Sequence, residues 1–354
     1  MSEQPGEADL TVAGLGEFGL IDRLARIVGS AGRDPLRPES EGAIGIGDDA
    51  ALWEPRPGFR EVLTTDALIE GVHFRHSTTS WEDLGWKALA ENVSDIAAMG
   101  ARPTRAFVTL GLRLDTRVAD LDDLYRGMAA LAREYQVEIA GGDTVSSPVT
   151  MLSITVVGEL VGEGLRRAAG QPGDLLAVTG ALGGSAGGLA LLEAGDAPED
   201  DPDVIPLLML HRRPRPRVAE GLAVSELGVR CGMDLSDGLL GDVGKLAYAS
   251  GLSAVLRVHD LPMPPALPDC FGDEEARELA LRGGEDYELL LAGAPEVVEA
   301  AARALRESGL APLTVVGRLE AGPPGQVTVL GPGGEPVAPP RSSWDHFRSE
   351  GSRS

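Results

Sequence analysis

Five places in the chain set carboxylates beside small, turn-forming residues. Four are Gly45-Ile46-Gly47-Asp48-Asp49, Thr64-Thr65-Asp66, Gly141-Gly142-Asp143-Thr144 and Asp234-Leu235-Ser236-Asp237-Gly238. The fifth acid is Asp95, in Glu91-Asn92-Val93-Ser94-Asp95. Gathering carboxylates is unfavourable, because two unit charges 4 Å apart repel by roughly 4 kcal/mol at an effective dielectric near 20. Such groups either take up protons or share cations. Oxygen ligands without Cys or His suit Mg²⁺, which bridges a few carboxylates to phosphate oxygens. Glycines beside them let backbone N–H groups approach those oxygens. Taken singly, each Asp is also a good N-cap or Asx-turn residue, and Asp237 could simply cap a helix over 238–250. Four clusters of one composition are harder to explain that way.

Other chemistries fit less well. Gly45-Ile46-Gly47-Asp48-Asp49-Ala50 matches a dinucleotide fingerprint formally, with Asp66 about 20 residues on. A pyrophosphate there would face Asp48 and Asp49 without a cation. No GxxxxGK[ST] run and no protein-kinase loop set occur. Cys231 and Cys270 are too few for a disulfide framework and lack zinc spacing.

These residues must be held by a scaffold, and 354 residues are ample for two domains. Apolar spacing predicts helices near 17–29, 82–98 and 119–135. Extended runs fall at 61–65, 106–112, 137–140 and 150–159, so three of the clusters would follow strands. The stretch 161–173 turns Gly-rich and polar, which marks a boundary. A second unit then opens with a strand at 175–179, a glycine loop at 180–188 and a helix. That loop could meet a phosphate or could serve tight helix packing. We expect two α/β units, 14–160 and 161–348, the first carrying metal- and ATP-binding aspartates and the second completing the ATP and substrate site.

With 31 basic against 55 acidic residues the net charge is −24, which opposes a broad nucleic-acid-binding face. Lysine occurs only at Lys87 and Lys245. Arg212, Arg213, Arg215 and Arg217 form the one dense basic run, able to grip a phosphate or to balance the acidic stretch before it. No apolar run approaches the roughly 18 residues that span a bilayer, and the polar, acidic N-terminus lacks signal-peptide character. The expected location is cytoplasmic, without membrane partners.

The motifs, taken in order, resemble those of thiamine-monophosphate kinases. They are GEFGLIDRL at 16–24, GIGDDAAL at 45–52, TTDALIEGVHF at 64–74, KALAENVSDIAAMGARP at 87–103, GGDT at 141–144, DLSDGLLGDVGK at 234–245, GGEDYELLL at 283–291 and WDHF at 344–347. The resemblance implies an aminoimidazole-ribotide synthetase-like α/β (α+β) fold of two domains, whose N-terminal strands pair across a homodimer. It implies Mg²⁺-dependent transfer from ATP to thiamine monophosphate. By motif, the magnesium ligands would be Asp49, Thr64, Thr65, Asp66, Asp95, Asp143, Asp234 and Asp237. Tyr125, Gly142, Asp143, Arg167 and Ser236 would meet ATP, and His73, Glu285 and Trp344 the thiamine moiety. No side chain is expected to act as base or nucleophile: transfer would be direct, in line and metal-assisted. Two other readings stand beside this one: a relative with a different acceptor, such as a selenophosphate synthetase or the hydrogenase-maturation dehydratase, and a non-catalytic Mg²⁺- or nucleotide-binding regulator.

Overall fold

The computed structural model describes residues 10–29, 46, 50–195 and 201–337. Two compact units divide the chain, Met1–Glu163 and Gly164–Ser354.

In the first unit, short α1 (Val12–Leu15) leads into α2 (Glu17–Val28), whose Leu20, Leu24 and Val28 recur every fourth residue and are buried. β1 (Arg60–Ile69), α3 (Trp81–Ala98), β2 (Arg102–Leu112), α4 (Val118–Tyr135), β3 (Glu138–Ser146) and β4 (Met151–Leu160) follow. Ser80 caps α3, its Oγ accepting the Asp83 N–H at 3.1 Å and donating to the Asp83 carboxylate at 2.8 Å. Gln136, at φ 56°, ends α4 in a left-handed turn. The four strands form a sheet in the order β1-β4-β2-β3, antiparallel except for β2 beside β3.

The α3 and α4 backbones nearly touch. A Cβ added to Gly85 would lie 1.8 Å from the Leu124 carbonyl oxygen, and one on Gly127 would lie 1.8 Å from that of Glu82. Leu84, Leu89 and Ile96 of α3 and Leu121, Leu124 and Met128 of α4 are almost wholly buried. α3 in turn packs on β1, β2 and β4.

Two strands run longer than the sequence predicts. β1 and β3 continue through Thr64-Thr65-Asp66 and Gly141-Gly142-Asp143-Thr144, so these clusters lie within strands and not after them. Both are outermost in the sheet, where polar side chains keep their water, and β-branched threonines favour extended backbone.

The second unit contains β5 (Leu175–Thr179), α5 (Gly184–Ala194), α6 (Ile205–Arg212), α7 (Val218–Glu226), β6 (Cys231–Asp234), α8 (Leu239–Ala249), β7 (Ser253–Arg257), α9 (Ala266–Arg282), β8 (Leu289–Gly293), α10 (Pro295–Glu307), β9 (Leu313–Glu320), β10 (Val327–Leu330) and β11 (Pro336–Val337). Its seven-stranded sheet runs β11-β10-β7-β9-β5-β8-β6 and is antiparallel except where β10 meets β7. Leu176, Val178, Met233, Leu246, Leu256, Leu290 and Val316 build one core between the sheet and α8. Among the described residues, no helix is long and apolar enough to cross a membrane.

Candidate active site

Most of the described candidates of the first unit fall on the two outer strands and on α3. Side chains alternate along β1, and Leu68 is buried, so Thr64 and Asp66 share its helix-covered face. Thr64 Oγ1 donates to Asp95 Oδ2 at 2.6 Å, and the Asp66 N–H donates to Asn92 Oδ1 at 3.1 Å. Asn92 is buried and anchored in turn, its Nδ2 donating to the Ala88 carbonyl at 3.1 Å. Two residues one turn apart on α3 thus fix the middle of β1. Thr65 points to the other face, where its Oγ1 lies 3.1 Å from Thr155 Oγ1. Asn92 was not singled out from the sequence; its spacing of three from Asp95 is the signal that marks it.

His73 sits in the turn after β1. Its Nδ1 accepts the Ile69 N–H at 3.1 Å, which places the ring proton on Nε2. On β3, Gly142 lies so close to β2 that an added Cβ would be 1.9 Å from the Val108 carbonyl oxygen. Only glycine fits there. Asp143 follows with an exposed carboxylate, and its Oδ1 accepts the Thr144 N–H at 2.8 Å. Asp66 and Asp143 stand on opposite edges of the sheet. Three strand spacings separate them, roughly 14 Å. Tyr125 is buried in α4, and desolvation pushes its hydroxyl pKa up. Among the described residues, no three His, Cys, Asp or Glu side chains converge closely enough to hold a metal ion. Asp49 and Trp344 lie outside the described residues.

In the second unit, Asp234 ends β6 and is buried. The turn beyond it is organised by Asp242 of α8. Asp242 Oδ2 accepts the N–H groups of Ser236 and Asp237 at 3.1 and 3.0 Å, and its Oδ1 accepts from Lys245 Nζ at 2.8 Å. Lys245 also reaches the Asp237 carboxylate. Gly238, at φ 98°, is the N-cap of α8, so Asp237 does not cap that helix. Its carboxylate is paired with the Lys245 ammonium. Burial pushes the Asp242 carboxyl pKa up, and Lys245 draws it back. Asp242→Ala leaves two backbone N–H groups without their acceptor and is expected to cost about 2–4 kcal/mol. Urea unfolding of the variant measures it.

Glu285, at φ 63°, is partly exposed, with Oε2 3.7 Å from His211 Nδ1. Next to it, Asp286 accepts the N–H groups of Gly183 and Ser185 at 2.7 and 3.1 Å. Desolvation raises the Asp286 carboxyl pKa to about 7 against the pull of those two donors. A carboxylate therefore occupies the first turn of α5, where a phosphate would otherwise bind. The glycines of 180–188 serve packing instead: a Cβ on Gly188 would meet the Leu207 carbonyl oxygen at 2.2 Å and one on Gly187 would meet Leu267 Cδ1 at 2.5 Å. Arg217, from the basic run, pairs its guanidinium with buried Glu288, Nε to Oε2 at 2.6 Å. That arginine is structural. The side chain of Arg167 is exposed, while its carbonyl accepts from Ser250 Oγ at 2.7 Å.

Known proteins resemble this chain in sequence and fold. Family profiles for the AIR synthase related protein match residues 47–160 with the N-terminal domain and 171–330 with the C-terminal domain. The chain is 37% identical to the thiamine-monophosphate kinase of Escherichia coli (strain K12) over 335 residues, 94% of this chain and 98% of the relative. It is 38% identical to that of Bacillus subtilis (strain 168) over 249 residues, 70% and 76% of the two chains. Among solved structures, the thiamine-monophosphate kinase of Stenotrophomonas maltophilia K279a superposes with a TM-score of 0.78 at 37% identity, covering 89% of this chain and 96% of that one. AaThiL complexed with AMPPCP and TMP superposes at 0.72 and 33%, covering 94% and 97%. Hydrogenase maturation protein HypE, at 0.71 and 18%, shares the fold.

Proposed function

The chain belongs to the thiamine-monophosphate kinase family, and from that premise we infer that it transfers the γ-phosphate of ATP to thiamine monophosphate, giving ADP and thiamine diphosphate. The observation that carries this reading is 37% identity over 94% of the chain to a kinase of that name. Among the described motif residues, Thr64, Asp66, His73, Asp143, Ser236 and Asp237 also take part in hydrogen bonds.

A phosphate monoester has a second pKa near 6, so the acceptor is already largely dianionic at pH 7. A general base would add little. The obstacle is repulsion between two polyanions, and catalysis is positioning plus charge neutralisation. The terminal P–O bond of ATP breaks as an oxygen of the acceptor phosphate bonds to that phosphorus in line. The donors here are hard oxygens, which fit Mg²⁺. The residues assigned as Mg²⁺ ligands are Asp49, Thr64, Thr65, Asp66, Asp95 and Asp143 in the first unit and Asp234 and Asp237 in the second. Bound there, Mg²⁺ supplies positive charge to the phosphate oxygens. The aspartates act as ligands and not as nucleophiles. Gly142, Asp143, Tyr125, Arg167 and Ser236 are assigned to ATP; His73, Glu285 and Trp344 are assigned to the thiamine moiety. Use of ATP supports a cytoplasmic location.

The working form is a homodimer joined through the sheet of the first unit. Leu63 on β1 and Val145 on β3 are 66% and 44% exposed, a large apolar presence on two outermost strands. The roughly 14 Å between Asp66 and Asp143 also exceeds what one Mg²⁺, with ligands at about 2.1 Å, bridges directly. A second copy would bring the β1 edge of one protomer beside the β3 edge of the other. Sedimentation should show twice the chain mass for the wild type and the single chain mass for Leu63→Glu at micromolar concentration.

The functional test is an assay of ADP and thiamine diphosphate formed together. Turnover is expected with thiamine monophosphate and not with free thiamine, whose hydroxyl would need a base. Efficient conversion of thiamine to its monophosphate would overturn the reading. ADP release without thiamine diphosphate would point to a different acceptor, and no ADP at all to a regulator.

A further inference from the structure

Residues 283–289 follow an unusual path. Glu285 and Tyr287 have φ of 63° and 51°, the left-handed region that side chains other than glycine rarely adopt. Such conformations persist where the surroundings over-determine them. Here the backbone is zipped to the turn after β6: the N–H groups of Glu285 and Tyr287 donate to the Ser236 and Leu235 carbonyls at 2.8 and 2.9 Å, and the Leu235 N–H donates to the Glu288 carbonyl at 2.8 Å. Gly284 is pressed so close that an added Cβ would lie 2.6 Å from the Ser236 carbonyl oxygen.

The side chains then divide. Glu288 is buried and holds Thr179 Oγ1 at 2.7 Å and Arg217. Asp286 takes two N–H groups at the start of α5. Ser185 is shared between neighbours: its N–H goes to Asp286, and its Oγ lies 3.1 Å from Nδ1 of buried His211, which in turn lies 3.7 Å from the Glu285 carboxylate. Glu285 is left partly exposed without a backbone N–H on its carboxylate among the bonds above, its backbone held from one side and its carboxylate near His211 on the other.

We propose that Asp286 is a positioning residue for the thiamine moiety: by docking residues 285–287 onto the first turn of α5, it sets the direction of the Glu285 carboxylate. This rests on the assignment of Glu285 to the thiamine moiety. A carboxylate suits that ligand, which carries a cationic thiazolium. The expected consequence is specific. Loss of the dock should weaken binding of thiamine monophosphate while ATP is held as before.

The test is steady-state kinetics of the full chain with both substrates varied. Asp286→Asn keeps the volume but loses the charge and turns one acceptor atom into a donor facing an N–H. It should raise the KM for thiamine monophosphate about tenfold and leave that for ATP within about twofold. Glu285→Gln should do the same. In the double variant Asp286→Asn should add no more than about twofold, because both changes act through one group. If Glu285→Gln alone leaves that KM unchanged, the assignment of Glu285 falls and the proposal with it. If Glu285→Gln raises it while Asp286→Asn does not, or the two effects multiply, the assignment stands and the proposal is wrong. A lower melting temperature with both KM values unchanged would make Asp286 purely structural. Should Asp286→Asn fail to fold, hydrogen exchange on the wild type decides. Thiamine monophosphate should protect the amides of 183–187 in the wild type and not in Glu285→Gln; equal exchange with and without substrate in the wild type overturns the proposal.

Discussion

Asp66→Asn and Asp143→Asn are each expected to lower kcat by at least ~10³-fold, about 4 kcal/mol of lost transition-state stabilisation. The melting temperature should barely move. Both side chains are exposed. The Asp66 contact to Asn92 uses the backbone N–H, which the substitution retains, and an amide oxygen in place of the Asp143 carboxylate can still accept the Thr144 N–H. What disappears is the negative charge that the proposed function assigns to a cation beside two polyanions. Wild-type activity in either variant at limiting magnesium would remove that residue from the metal set. The proposed dimer sharpens the experiment. If Asp66 of one protomer works with Asp143 of the other, each mixed dimer of the two inactive variants contains one intact site and one doubly altered site. Random reassortment makes half the dimers mixed, so about a quarter of wild-type activity should return. If both residues serve one chain's own site, mixing restores nothing.

The second large effect lies far from the chemistry. Gly127→Ala is expected to destabilise the first unit by about 3 kcal/mol net, although alanine favours a helix by ~1 kcal/mol over glycine. The new Cβ would sit 1.8 Å from a backbone oxygen of α3, which cannot rotate away as a side chain could. The helices must separate by more than an ångström, and the nearly fully buried leucines along their interface lose contact. For a unit of this size that is about 6–12 °C in melting temperature. Gly85→Ala should act alike. The double variant should cost clearly less than the sum, because the first substitution already parts the helices. Additive losses would mean that the two glycines do not share one contact.

Much of this was legible in the residues. The helices at 17–29, 82–98 and 119–135 are amphipathic or apolar over several turns, and α2, α3 and α4 lie there within a residue or two. The strand at 175–179 was bounded by turn residues on both sides. The outer strands were misjudged in length, since their polar halves read as loops and only a sheet edge lets Asp66 or Asp143 sit in extended backbone with water around it. The carboxylates that hold the site were missed for a different reason. Asp242, Asp286 and Glu288 act on backbone N–H groups or on partners up to 109 residues away, and no spacing encodes that. The basic run and the glycine loop each had two open readings. For Arg217 the pairing with buried Glu288 supports the structural reading, and for the glycine loop the Asp286 carboxylate on α5 does the same.

The scarcity of lysine has a practical side. Lys87 is 2% exposed in α3, whereas the side chain of Lys245 is 43% exposed. An amine-selective acylating dye therefore has one accessible lysine to modify, besides the α-amino group. That lysine touches Asp237, in the turn assigned to nucleotide and metal. Fluorescent labelling or surface coupling through amines would thus tag the turn to which nucleotide and metal are assigned, and immobilisation for binding studies is better done through another chemistry. The same reactivity offers a reporter without mutation: the rate at which Lys245 is acylated, read by peptide mass, follows whether its ammonium is still engaged by Asp237 or has been released by an incoming cation.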